Sequence, residues 1–218
     1  MSLTAVLAAA LALAPSPSPG SDPVALAALR AQAHAVIRAA SAQSHFVDDT
    51  RWDLPAVRHR DSGLRCLFQP NDPDNRIVYI GGITGGGGMG CQSRPAGFQQ
   101  SLEAIRMAPG ETLESVFAGS VLNITFQRPE ARPYEGARTE VRVEPGPGAP
   151  PPAETRSARY VIGAEGSQLF SLVSVAVIDG WYVRQTMQAP ADRAEEADML
   201  AGVVMSTTLL DLAERAKG

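Results

Sequence analysis

Lysine is almost absent from this chain. Its one lysine is Lys217, and the other cationic side chains are arginines. Without an interior lysine, Schiff-base chemistry, pyridoxal phosphate attachment, a phosphate-loop lysine and a Ser-Lys dyad are excluded. Basic runs are missing too. Arg58, Arg60, Arg65, Arg142 and Arg159 stand singly, and the net charge is -4, which argues against a nucleic-acid partner. The longest apolar run, Leu3 to Ala14, is shorter than the ~20 residues a membrane span takes. No later segment reaches that length, and no internal repeat is visible.

Histidine and cysteine are scarce, and both scarcities are informative. His34, His45 and His59 do not lie at metal-ligand spacing, so no metal or cofactor site is expected. No G-x-S-x-G elbow is present, although serine, histidine and aspartate all occur. Cys66 and Cys91 are too far apart for C-x-x-C redox chemistry. A bridge between them would close a loop of 25 residues, worth about 3 kcal/mol in the chain-entropy view. Two separate buried thiols, or a thiol nucleophile beside a histidine, are the alternatives.

What is present starts with an export signal. The run Leu3 to Ala14 ends in the small-residue pattern Ala12-Leu13-Ala14, which reads as a signal peptide over 1–14. A periplasmic or secreted bacterial protein is the expectation, and a disulfide suits that compartment. Residues 15–22, with alternating Pro and Ser, form a stiff linker. Apolar residues at 44% and charged residues at 19% then describe one globular domain over 23–217 rather than a disordered chain.

Within that domain, Leu26, Leu29, Ala33, Val36, Ile37 and Ala40 predict a helix to about Ala42, capped by Ser21 or Asp22. A hairpin joins Ala56–Arg60 to Leu64–Phe68 through Asp61-Ser62-Gly63, and Arg76–Ile80 is a short strand. Gly81 to Gly90 reads as a glycine-rich loop ending at Cys91. It matches G-x-G-x-x-G only formally, because Cys91 to Pro95 interrupts the helix a dinucleotide site needs. Glu111 to Phe126 shows helical spacing, residues 98–108 fit no single period, and Thr139 to Glu144 reads as a strand. The proline-rich stretch Pro145 to Thr155 is a flexible connection. Arg156–Gly163, the nearly all-apolar Gln168–Ile178 and Trp181–Gln188 are strands, the last two joined by the Asp179-Gly180 turn. Ala191 to Lys217 closes the chain as a helix, striped by Ala197, Leu200, Val204, Leu209 and Leu212. Hairpins with segregated helices make this α+β, an antiparallel sheet with packed helices.

Three local patterns carry no function. His59-Arg60-Asp61 spells a kinase tripeptide in a chain without the kinase lysine. Asn123-Ile-Thr125 is a glycosylation sequon inside an apolar helix. Asp48-Asp49 and Glu195-Glu196 read as solvated surface pairs.

Two stretches resemble a known superfamily. The hairpin from His59 to Pro70, and the hairpin from Ile178 to Pro190 followed by a long helix, resemble PsbP-like proteins. They also resemble uncharacterised exported bacterial proteins with a disulfide on the first hairpin. The resemblance implies a sheet sandwiched by helices and an accessory or adaptor role, with no catalytic residue to carry over. The expected function is therefore a non-enzymatic periplasmic accessory protein that meets another protein or an envelope component through Gly81–Gly90 and Pro145–Thr155. A small-molecule binder with a pocket between sheet and helix is the alternative. Trp181 and Tyr182, with Gly85 and Gly87 in the loop, form its possible binding surface, and Trp52 and Tyr134 are further aromatic candidates. A hydrolase using His59 or His45 beside a carboxylate is the third reading.

Overall fold

A computed structural model describes residues 22–51, 53–81, 87–137, 141, 153–164 and 166–215. The first helix, α1 (Pro23–Ala39), begins where the Asp22 carboxylate accepts from the Val24 N–H at 3.0 Å, with proline at the first position. It ends before Ala42 because Ser41 takes a left-handed φ of 53°. Three short strands follow: β1 (Phe46–Asp48), β2 (Ala56–His59) and β3 (Arg65–Leu67) form a small antiparallel sheet in that order. The β2–β3 hairpin falls where the sequence places it. Its loop is one residue longer than expected, because the His59 N–H already donates to the Leu64 carbonyl.

The rest of the chain builds a larger sheet from β4 (Arg76–Ile80), β5 (Gly88–Ser93), β6 (Gln99–Arg106), β7 (Arg132–Pro133), β8 (Thr155–Ile162), β9 (Leu169–Ile178) and β10 (Trp181–Pro190). Their order is β4-β5-β6-β10-β9-β8-β7, antiparallel throughout. Between β6 and β7 lies α2 (Leu113–Gln127), and α3 (Ala194–Arg215) closes the fold. This is the expected α+β class. Side chains alternate across strands. On β9, Ala176 therefore meets the core shared with α1, α3 and the small sheet, Leu172 on the same face meets a second cluster under the start of α3, and Val173 and Val175 meet α2 on the other face. The buried stripe of α3 runs through Ala197, Ala201, Met205 and Leu212, so Leu200 and Val204 lie at its edge rather than on it.

Two expectations about strands need correction. Residues 98–108 had no clear period because β6 is buried on both faces between β5 and β10, which removes the usual alternation. The glycine-rich stretch is not loop through Gly90: Gly88 and Gly90 are paired strand residues of β5. A Cβ at Gly90 would come within 2.8 Å of Glu103 Cα, so close approach of β6, not flexibility, requires glycine there. The predicted strand over Thr139 to Glu144 lies outside the described residues except for Val141, whose carbonyl accepts from Ser206 Oγ on α3. Most of Pro145–Thr155 is likewise outside them.

Cys66 on β3 and Cys91 on β5 are bonded, with Cα atoms 6.1 Å apart and both residues buried. The bond joins the small sheet to the large one. A buried ionic clasp ties the small sheet to α3. Arg58 Nη1 donates to Asp211 at 2.6 Å and Arg58 Nη2 to Asp49, while Arg65 Nε lies 2.9 Å from the same Asp49 carboxylate. Asp49, expected to be a solvated surface charge, has a side chain only 11% exposed. Burial alone would raise its carboxyl pKa, but the Arg58 hydrogen bond and the charges of Arg58, Arg65 and Arg51 hold it below the ordinary value.

Candidate functional site

Beside the clasp, three distant segments leave a cleft of about 160 Å³. They are the β2–β3 turn, the β9–β10 turn and the last turn of α3. Both turns depend on left-handed backbone: Gly63 has φ of 76°, and Asp179 and Gly180 have φ of 48° and 74°. A side chain at Gly63 would also crowd Arg215 Cδ, 3.3 Å from where its Cβ would lie. The floor is apolar, built from Ala104, Ile178, Trp181, Val183 and Leu212. The rim is polar, with Arg60, Asp61, Ser62, Asp179 and Arg215.

Trp181 is 8% exposed and held from two sides. His59 meets it edge-on with ring centroids 5.8 Å apart, and the Arg106 guanidinium sits 4.4 Å above its ring. His59 in turn is fixed by the turn it starts. Its Nδ1 lies 2.7 Å from Ser62 Oγ and accepts from the Ser62 N–H at 3.3 Å, which leaves the ring proton on Nε2. Burial pushes the His59 imidazole below its ordinary value, and the opposing charge of Asp61 does not offset that.

A serine hydroxyl on a neutral buried imidazole has the form of a nucleophile and its base. The surroundings do not complete one. The Leu64 N–H donates to Ser62 Oγ and the Gly63 N–H to the His59 carbonyl, so the nearby amides are already taken and cannot hold an oxyanion. His45 stands 6.5 Å from His59, and among the described residues neither ring is hydrogen-bonded to a carboxylate. The pair closes the turn. Nor is any group of three His, Cys, Asp or Glu among the described residues placed to hold a metal ion.

The site residues expected from sequence are not brought together. Trp181 floors the cleft, but Tyr182 points to the opposite face of the sheet, where it packs with the α2 cluster. Its hydroxyl is pushed up by burial. Gly87 is exposed, with open space where a Cβ would be, while Gly85 and Trp52 lie outside the described residues. Tyr134 packs against Phe170, and His34 is exposed on α1. The rim was missed altogether. Its one sequence signal was that both hairpin turns carry charged residues, at 60–61 and at 179, which turns do for solubility alone.

No family model matches this chain, and no curated protein matches it at a significant level. The PsbP-like resemblance therefore rests on the two hairpins. Among solved structures, the chain is similar to PA94, a protein of unknown function from Pseudomonas aeruginosa. The TM-score is 0.36 and the identity 12%, over 75% of this chain and 95% of that one. It is also similar to LpqN of Mycobacterium tuberculosis, a protein involved in cell envelope biogenesis. There the TM-score is 0.34 and the identity 14%, over 63% of this chain and 84% of that one. Likenesses of this size say nothing of function.

Proposed function

We propose that this protein is an exported, non-enzymatic accessory protein that works by binding, and that the Trp181 cleft is where it binds. One observation carries the reading: the cleft has an apolar floor and a rim of charged side chains that lack protein partners among the described residues. All four charges are exposed and hydrated at the mouth of the hollow, where a ligand can meet them. The buried disulfide supports an oxidising compartment. Among the described residues no helix is long and apolar enough to cross a membrane.

The test is a fragment screen by protein NMR on the oxidised protein, following the Trp181 indole and the amides of Gly63 and Gly180. Small amphipathic fragments should shift these signals together. Ile178→Trp, which fills the cleft from a half-buried position, should abolish the shifts while the spectrum stays folded. If fragments shift other surfaces and never these, the cleft is not the binding site.

A further inference from the structure

We infer that the ligand of this cleft is a zwitterion with a compact apolar body, the chemistry of a free apolar α-amino acid. The inference rests on the cleft reading above and adds the class of ligand. Its first support is the balance of charge at the rim. Arg60 and Arg215 stand there with Asp61 and Asp179, two of each sign. None of the four has a side-chain hydrogen bond or ion pair among the described residues. Several arginines elsewhere are paired, as Arg94 is with Asp74, Arg159 with Asp198 and Arg184 with Glu103.

The alternatives fit this rim less well. A simple anion would face Asp61 and Asp179 as well as the arginines, and a simple cation would face Arg60 and Arg215. A neutral apolar guest would cover the floor while partly desolvating four unanswered charges, which is costly. A carboxylate and an ammonium on one small molecule answer both signs at once. The size agrees. At about 160 Å³ the cleft is smaller than the roughly 300–1,000 Å³ of drug-sized sites, which suits a compact guest. Half-buried Ile178 and the exposed edges of Trp181 and Leu212 supply the apolar contact.

Isothermal titration and the same NMR signals test this on the full oxidised chain. L-Leucine, L-valine and L-phenylalanine are compared with their N-acetyl forms, which lack the ammonium, and their amides, which lack the carboxylate. The free amino acids should bind best. Each blocked form should weaken about ten- to hundredfold, the effect of losing a hydrogen bond to a charged group. R60A/R215A should erase the preference over the amides, and D61N/D179N the preference over the N-acetyl forms. Equal or tighter binding of a blocked form would overturn the zwitterion and leave the cleft as the site of a singly charged ligand. No response to any free amino acid, while fragments still shift the Trp181 indole, would overturn the ligand class alone. No response to amino acids or fragments would remove the cleft reading with it.

Discussion

Asp211 and Arg215 lie one turn apart on α3 and face two different sets of charges. Asp211 joins Asp49, Arg58 and Arg65 in the clasp, where the Arg58 side chain is 3% exposed and every member has a partner. Arg215 joins Arg60, Asp61 and Asp179 around the cleft, where none does among the described residues. Leaving aside the exposed Arg51 that also pairs with Asp49, each set holds two arginines and two aspartates, and Arg58 and Arg60 are two residues apart in sequence. Composition therefore cannot tell them apart. Enclosure does: charges removed from water must answer one another or destabilise the fold, whereas rim charges stay hydrated until something else answers them.

The largest expected effect comes from breaking the clasp. Asp49→Ala would leave Arg58 buried with one carboxylate fewer and should cost about 3–5 kcal/mol in urea unfolding. A loss under about 1 kcal/mol would mean that the clasp is hydrated and the contrast with the rim false. Next comes the disulfide. Reduction, or Cys66→Ala with Cys91→Ala, should cost about 3 kcal/mol by the same assay, from the entropy of the opened loop. A third change should stabilise. Gln185 on β10 is fully buried, and among the described residues neither amide atom has a hydrogen-bond partner. Gln185→Met keeps the shape and removes the orphaned groups, so it should gain about 1–3 kcal/mol.

Acid separates the two regions further. His59 has a folded pKa below its unfolded value of 6.5, so the unfolded chain takes up the proton first. Stability from this group is complete above 6.5 and falls as the pH drops from there toward the lower folded value. The Asp49 contribution persists until the pH falls below the usual 3.8 and through its own depressed value. Unfolding followed along a pH series should show these two stages, and His59→Asn should flatten the first only. The smallest effect belongs to the rim. Arg60→Ala should change stability by no more than about 0.5 kcal/mol, whatever it does to binding.

Local features of this fold were legible in the sequence. The Asp179-Gly180 turn, the β2–β3 hairpin, the capped start of α1 and the cysteine pair each depend on residues close together or on a simple count. The central position of β9 followed from its two apolar faces. Legibility failed where distant neighbours decide the outcome. Gly88 and Gly90 looked like loop because the strand that crowds them, β6, carries no periodic signal of its own. Asp49 looked like a surface charge because Asp211, which completes its network, is far along the chain. The cleft was invisible for the same reason. Its walls come from 60–63, from 178–183 and from 212–215, and only folding shows that they meet.

The last turn of α3 serves both regions, and this sets how it breathes. The end of a helix ordinarily frays, and its amides exchange with solvent long before the molecule unfolds. Here Asp211 is anchored to Arg58 on the small sheet, and Leu212 is buried beside it. The amides of this turn should therefore exchange with deuterium as slowly as those of β9 and β10, in step with global opening. One wall of the cleft would then be as rigid as the core that carries it, leaving a ligand little of that wall to order when it arrives.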